Sequence, residues 1–183
     1  MNKLLRWDVS EVMKSKLKVA LLTLMVLLIS STFIVSVYAA EENIALNSKV
    51  EASGYFAEAT SDESPEMAVD GDIETKWCAR PAELPEEGDY HWIILDLGAE
   101  KTIGKYVLQN ASLAEMDLGK TDFNLVEFTL EASSDKEKWT EIDSEDANEE
   151  ETYEKSFAEP VKARYLRLNC IIPTASGDQT VRL

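Results

Sequence analysis

The chain has 183 residues, enough for one domain of about 100 to 150 residues behind a leader. Its 18 basic and 35 acidic residues give a formal net charge of −17. Such a charge repels nucleic-acid phosphates and anionic lipid headgroups, so it argues against nucleic-acid binding and against polybasic docking on membranes.

The first 39 residues have the pattern of a secretory signal peptide. Five basic residues lie before the apolar run Val19–Val37, and small residues follow it, so we expect cleavage after Ala39. The run is also about long enough to span a bilayer, which leaves an uncleaved N-terminal membrane anchor as the alternative. Both readings predict a secreted or extracellular cell-surface protein. Residues 40–183 hold 13 basic and 33 acidic residues, a net charge of −20.

Short alternating segments open the exported part, and we expect strands at Asn43–Asn47 and Lys49–Ser53. A polar loop then leads to Asp70-Gly71-Asp72-Ile73-Glu74-Thr75. Carboxylates and a hydroxyl on a tight glycine turn suit Ca²⁺. Asp and Gly also dominate ordinary turns, so composition alone leaves a plain surface turn as the alternative.

Strand patterns recur about every ten to fifteen residues beyond this turn. They cover His91–Gly98, Ile103–Gln109, Phe123–Ser133, Trp139–Ile142, Tyr153–Phe157, Ala163–Ile172 and the start of another at Thr180–Leu183. Residues 141–154 are mostly acidic and are expected to form a solvated connection or the edge of a ribbon. No amphipathic helix of three turns follows the leader, so the pattern predicts an all-β sandwich or barrel.

The two cysteines and the single histidine have structural interpretations. Cys78 and Cys170 could form one disulfide in an oxidising compartment, or remain buried thiols. His91 begins a strand predicted to be buried, so we expect a structural role for it.

Five short motifs, in order, resemble the F5/8 type C (discoidin) domain, and within it the bacterial carbohydrate-binding modules of family 32. The motifs are Asn43-x-Ala45 with Ala52-Ser53, Ala68-Val69-Asp70-Gly71-Asp72-x-x-Thr75-x-Trp77, Trp92-x-x-x-Asp96-Leu97-Gly98, Phe128-x-x-x-x-Ser133-x-Asp135-x-x-x-Trp139 and Ala163-Arg164-Tyr165-Leu166-Arg167-Leu168. The resemblance covers residues 43–183.

The resemblance implies an eight-stranded jelly-roll sandwich of the galactose-binding type, with ligand loops at one end. It also implies a structural Ca²⁺, held by the carbonyl of Met67, by Asp70 and Asp72, and by Thr75. A further carbonyl and a glutamate are expected from the last strand of the domain. Leu183 lies at the start of that strand, so we expect the strand to be incomplete here.

Sugar recognition needs an aromatic face for the C–H side of the ring and polar groups for the hydroxyls. The loops expected to supply them are 54–64, 78–91, 109–122 and 173–179. The candidate ligand-binding residues are Tyr55, Phe56, Arg80, Asn110 and one acidic residue, Asp62 or Glu63. For each there is a plain alternative, because a loop aromatic can cap the core and a loop arginine is usually solvated.

The chain differs from the galactose-binding members of the family at two positions. Those members typically have a histidine just after the motif tryptophan and an arginine after the strand at 103–109. This chain has Cys78 and Asn110-Ala111 there. The identity of the sugar is therefore not carried over.

The leading hypothesis is a non-catalytic carbohydrate-binding module of an exported glycoside hydrolase or surface protein, fused to other domains and tethering its parent to glycans. The alternative is an extracellular adhesion domain that binds a protein or a membrane surface. We expect no enzymatic activity, because the sequence contains one histidine and neither G-x-S-x-G nor H-E-x-x-H.

Overall fold

The computed structural model describes residues 14, 16–18, 42–84, 89–110 and 122–183. The chain divides into two units, Met1–Glu42 and Asn43–Leu183. In the first unit, residues 14 and 16–18 are helical and exposed, and the rest of the expected leader lies outside the described residues. Within the described ranges, no helix has both the length and the apolar character needed to cross a membrane.

The second unit is built from antiparallel strands. The strands are β1 (Lys49–Ala52), β2 (Cys78–Ala79), β3 (His91–Gln109), β4 (Glu127–Ser133), β5 (Thr140–Glu145), β6 (Thr152–Ile172) and β7 (Val181–Arg182). Five of them form one sheet in the order β1-β3-β6-β4-β5, and β2 pairs with β7 in a second. Two short 3₁₀ helices, Pro65–Ala68 and Pro81–Glu83, flank β2 in the chain.

Two long strands, β3 and β6, pair along their whole length and organise the larger sheet. Their register runs from His91 opposite Cys170 to Gln109 opposite Thr152, with shifts between Asp96 and Lys101 and between Ile103 and Lys105. Such shifts bend a ribbon and increase its twist. The two strands predicted at 91–98 and 103–109 are therefore the two halves of one irregular strand.

The core lies on the inward face of these strands. Trp77, Phe128 and Cys170 are fully buried, and Leu125 and Val181 are 1% exposed. Each large apolar side chain removed from water contributes about 1.5–3 kcal/mol. Trp77 anchors the segment after the Asp70–Thr75 turn to this core.

The strand expected at Asn43–Asn47 is wrong, because these residues form a turn. Leu46 N donates to Asn43 O at 3.3 Å and Ser48 N to Ala45 O at 3.0 Å. Asn47 has a φ of 55°, in the left-handed region that asparagine tolerates better than most residues. The turn ends the segment before β1 begins at Lys49.

Two other boundaries differ from expectation. The strand predicted from Phe123 begins only at Glu127, because residues 123–126 are held by loop contacts. The acidic run after 140 is partly ordered, since Thr140–Glu145 is β5 at the edge of the sheet. Cys78 and Cys170 are both buried free thiols, which settles the question of pairing that the sequence left open.

Candidate functional site

Loops gather at one end of the sandwich because β6 lies between β3 and β4. Cys170 of β6 pairs with His91 at the start of β3 and with Phe128 near the start of β4. Ala52, which ends β1, pairs with Ile93. The segments next to these positions form what we call the loop end, together with residues 110 and 146–151, which are joined to it by hydrogen bonds from Leu125 N to Asn110 Oδ1 and from Asn148 N to Val126 O. It comprises residues 53–64, 80–84, 89–90, 110, 122–126, 146–151 and 173–180.

A set of buried polar contacts forms the floor of the loop end. Trp77 Nε1 donates to Gly54 O at 2.9 Å, and the Trp77 ring meets His91 edge-on at 6.4 Å. His91 bonds Ser53 Oγ at 2.8 Å through Nδ1 and Arg80 O at 3.0 Å through Nε2. Burial lowers the pKa of His91. Both ring nitrogens are used within the protein, so His91 has the structural role expected of it.

Above this floor lies a group of side chains that can meet a ligand. The Arg80 guanidinium stacks 3.5 Å from the centre of the Phe56 ring. Glu83 holds the same guanidinium through bonds of 2.8 Å to Nη2 and 3.2 Å to Nε. Tyr55, beside Phe56 in the chain, is 43% exposed. Tyr55, Phe56 and Arg80 thus belong to one part of the loop end.

The electrostatics of the Arg80–Glu83 pair follow from these contacts. The hydrogen bonds to Glu83 raise the pKa of Arg80. Burial alone would raise the pKa of Glu83, but bonds from the Arg80 side chain and backbone outweigh it and lower that pKa. Both groups stay charged, and Arg80 is held in one orientation.

Sequence reasoning missed Glu83 and Tyr90. Arg80 and Glu83 are three residues apart across the 3₁₀ helix Pro81–Glu83, where Glu83 Oε2 accepts from Arg80 N at 2.6 Å. The Arg-Pro-x-Glu spacing was a readable signal for this reciprocal cap. Tyr90, next to His91, is 46% exposed, and nothing in its local sequence distinguished it from other loop tyrosines.

The acidic candidates at 62 and 63 face different surroundings. The Glu63 side chain is 13% exposed and lies 3.7 Å from Lys76 Nζ. Burial and then the Glu63 carboxylate raise the pKa of the Cys78 thiol to about 12. Asp62 is exposed and accepts a bond from Ser64 N at 3.0 Å. Glu63 is thus paired with Lys76, whereas Asp62 stabilises the loop in which it lies by accepting the bond from Ser64 N.

Asn110 lies at the loop end but is fully buried. Its Oδ1 accepts from Leu125 N at 3.0 Å, and its Nδ2 donates to Glu150 O at 3.0 Å. The side chain therefore joins three segments of backbone and presents no polar atom to a ligand. Asn148 acts similarly, with its Nδ2 donating to Leu125 O at 2.7 Å.

A polar cavity of about 710 Å³ opens beside these asparagines. Its lining includes Asp122, Asn124, Asn148 and the segment Glu149–Thr152. The loop 111–121, which the sequence also suggested as a source of ligand contacts, lies outside the described residues.

The Asp70–Thr75 turn gathers oxygen atoms. Thr75 Oγ1 donates to Asp70 Oδ2 at 2.7 Å, and Asp72 N donates to Asp70 Oδ1 at 2.8 Å. Gly71 has a φ of 83°, and a Cβ there would lie 2.7 Å from Leu46 Cδ1. In the described ranges no three Asp, Glu, His or Cys side chains converge as a metal site. The expected ligands between Met67 and Thr75 are two carboxylates, a hydroxyl and the Met67 carbonyl, and these oxygen donors fit Ca²⁺ by type.

The domain is thus an antiparallel sandwich that carries an aromatic and charged group on the loops at one end. The family model described as the F5/8 type C domain matches residues 49–181. The chain belongs to this family. Among curated proteins, none matches the sequence.

Solved structures of family 32 carbohydrate-binding modules share the fold. One from Clostridium perfringens, in complex with GalNAc-β-1,3-galactose, is 19% identical with a TM-score of 0.60, covering 74% of this chain and 90% of that one. The module from Streptococcus pneumoniae EndoD is 17% identical with a TM-score of 0.62, covering 77% and 94%. A chitosan-binding module of a Paenibacillus chitosanase/glucanase is 22% identical with a TM-score of 0.54, covering 77% and 88%. The predicted jelly-roll sandwich is confirmed.

Proposed function

We propose that this domain is a non-catalytic carbohydrate-binding module that holds its parent protein on glycans through the loop end. The observation that carries the proposal is the exposed Tyr55 beside the Phe56–Arg80–Glu83 group. The family and the similar structures, which are binding modules rather than catalytic domains, support it.

The chemistry of this group matches a sugar ring. Tyr55 offers an aromatic face to the C–H side of a pyranose. Arg80 Nε and Nη2 are occupied by Glu83, whereas Nη1 makes no hydrogen bond within the described part of the chain. A fixed guanidinium with a spare donor can bond a hydroxyl at little cost in side-chain entropy.

Export and tethering complete the proposal. The leader pattern at 1–39 and the net charge of −20 over residues 40–183 suit a secreted or cell-surface protein. A weak single site is useful when fusion to further domains raises its effective concentration on a surface. We therefore place the domain outside the cell, attached to a larger parent.

We further propose that Ca²⁺ binds the turn that follows the first 3₁₀ helix. Asp70 and Asp72 would supply carboxylate oxygens, and Thr75 Oγ1 and the Met67 carbonyl would supply two further oxygens. The ion would supply fixed positive charge that stabilises the turn. The bonds from Thr75 and Asp72 N to Asp70 already hold these residues together.

A glycan array tests the proposed function. We expect the chain to bind at least one glycan class, and the Tyr55→Ala, Phe56→Ala and Arg80→Ala variants to lose about tenfold or more in affinity. Ile73→Ala is the control, since Ile73 is 60% exposed on the Asp70–Thr75 turn. If the chain bound no glycan on the array but bound liposomes, the alternative of an extracellular adhesion domain would be supported instead.

A further inference from the structure

His91 is a buried titratable side chain that lies beneath the candidate ligand residues. It is 1% exposed. Its Nδ1 atom lies 2.8 Å from Ser53 Oγ, and the chain continues from Ser53 directly to Tyr55 and Phe56. Its Nε2 atom lies 3.0 Å from the carbonyl oxygen of Arg80. One imidazole ring therefore connects the two loops that carry the aromatic and the charged part of the site.

The partners of His91 show which protonation state the folded protein holds. The carbonyl oxygen of Arg80 only accepts hydrogen bonds, so Nε2 carries the ring proton. In a neutral ring Nδ1 is then an acceptor, and the Ser53 hydroxyl is the group that donates to it. Ser53 Oγ itself accepts from Trp92 N at 3.2 Å. These contacts satisfy both nitrogens of a neutral histidine.

A second proton on the ring does not fit the same contacts. Nδ1 would become a donor, so the Ser53 hydroxyl would lose the acceptor for its own proton. The ring would also carry a positive charge in a position that is closed to water. A movement of the segment that begins at Ser53 would admit water to Nδ1 and relieve both penalties.

The titratable groups around His91 in the described part of the chain do not offset this cost. Glu83 is the carboxylate that acts on the ring, but its oxygens are bonded to Arg80, which carries a positive charge of its own. Cys170 lies opposite His91 on β6, and burial raises the pKa of its thiol, so it stays neutral. Burial lowers the pKa of His91, and the bond to Arg80 O and the charge of Glu83, which act in the other direction, do not outweigh it.

The segment that would move is part of the ligand site. Gly54 lies so close to Glu83 that a Cβ on Gly54 would be 2.7 Å from Glu83 Cβ. Phe56 carries the ring on which the Arg80 guanidinium stacks at 3.5 Å. A displacement of residues 53–56 therefore separates the aromatic side chains of the site from its guanidinium.

We propose that His91 is a positioning residue of the ligand site, and that protonation of its ring in mildly acidic solution releases residues 53–56 and weakens glycan binding. The inference rests on the proposed glycan-binding function and adds regulation by pH to the same site. The neutral ring is the form that fits the folded contacts. Affinity is therefore complete above the ordinary histidine pKa of about 6.5 and is lost as the pH falls through the lower pKa of the folded protein.

The test uses the fact that His91 is the single histidine of the chain. Its imidazole NMR signal gives the pKa of the ring directly. The Trp77 Nε1–H signal reports the position of residues 53–56 without any ligand, because this proton is bonded to Gly54 O. A glycan array read between about pH 7 and about pH 5 reports binding. We expect the imidazole and Trp77 signals to share one midpoint, and the affinity to fall about tenfold for each pH unit below it.

Two variants separate the positioning role of His91 from a general effect of acid. In His91→Gln the side-chain amide can donate to Arg80 O and accept from Ser53 Oγ but does not titrate, so binding at neutral pH should persist without the fall. Glu83→Gln removes the carboxylate that raises the pKa of His91, so the imidazole and Trp77 midpoints should both move to lower pH. The matched control Glu137→Gln removes an equal charge at an exposed position and should leave both midpoints unchanged.

Four results would overturn the inference. These are a ring that stays neutral throughout the range, a Trp77 signal that does not follow the imidazole, a parent-like fall of affinity in His91→Gln, and unchanged midpoints in Glu83→Gln. The last of these holds even if His91→Gln does not fold. Glycan binding that is constant with pH would also overturn the inference but leave the proposed function standing. Failure to bind any glycan at neutral pH would overturn the proposed function itself.

Discussion

At the scale of single residues, Gly54 sets the distance between two loops of the candidate site. A Cβ at this position would lie 2.5 Å from Glu83 O and 2.7 Å from Glu83 Cβ. The carbonyl of Gly54 also accepts the bond from Trp77 Nε1. Any side chain here must push Glu83 away, and Glu83 is the residue that orients Arg80.

We expect Gly54→Ala to destabilise the fold by about 1–3 kcal/mol, the usual cost of overpacking, and to weaken glycan binding as well. Urea unfolding measures the first effect. Gly104→Ala is the matched control, since a Cβ there meets nothing within 4 Å, and it should change stability by less than about 0.5 kcal/mol. Equal effects of the two substitutions would contradict the close-packing argument.

At the scale of elements, one carboxylate joins three strands. Asp143 of β5 accepts from Tyr106 of β3 at 2.6 Å and from Tyr153 of β6 at 3.1 Å, and lies 3.1 Å from Lys155 Nζ. Burial alone would raise the pKa of Asp143, but these bonds outweigh it and lower that pKa. The charged form therefore stabilises the packing of β3, β5 and β6.

This depressed pKa predicts a dependence of stability on pH. A carboxyl with a lower pKa in the folded state contributes stability above its unfolded value of about 3.9, and loses it as the pH falls through the folded value. Asp143→Asn should be less stable than the parent at pH 7 by about 1–3 kcal/mol and should depend less on pH below about 5. The measurement is the free energy of unfolding across this pH range, for the parent, for Asp143→Asn and for the exposed control Asp146→Asn. A parent-like slope in Asp143→Asn would refute the assignment.

The elements also show what the sequence could establish. Alternation along the strand predicted at 163–172 places Leu166, Leu168 and Cys170 on one inward face, and all three are buried, because burial on one side of a strand imposes period two. Ile172, which the same alternation predicts to face inward, is 39% exposed at the end of β6. The loops were harder, since their roles depend on partners distant in the chain. The Asn110 side chain could bond a sugar hydroxyl by its chemistry, but its polar atoms are hydrogen-bonded to the backbone of Leu125 and Glu150. The pairing of Arg80 with Glu83 could have been predicted from their spacing in the sequence, whereas the stacking of Arg80 on Phe56 could be seen only in the folded structure.

At the scale of the whole molecule, the Asp70–Thr75 turn and the smaller sheet are linked. Trp77 N donates to Leu183 O at 2.6 Å and Leu183 N to Trp77 O at 2.9 Å, extending the pairing of β2 with β7 toward the turn. The fully buried Trp77 ring carries that link into the core. An ion bound at the turn would therefore stabilise the junction of both sheets rather than a peripheral loop.

We expect millimolar Ca²⁺ to raise the melting temperature by several degrees, because a ligand at about 100 times its Kd stabilises the folded state by about 2.7 kcal/mol. The double variant Asp70→Asn, Asp72→Asn should lose this rise, whereas the control Asp62→Asn, outside the turn, should keep it. Differential scanning calorimetry with and without chelator measures both. A parent melting temperature that is the same with Ca²⁺ and with chelator would show that the turn holds the sandwich through Trp77 and its own hydrogen bonds alone.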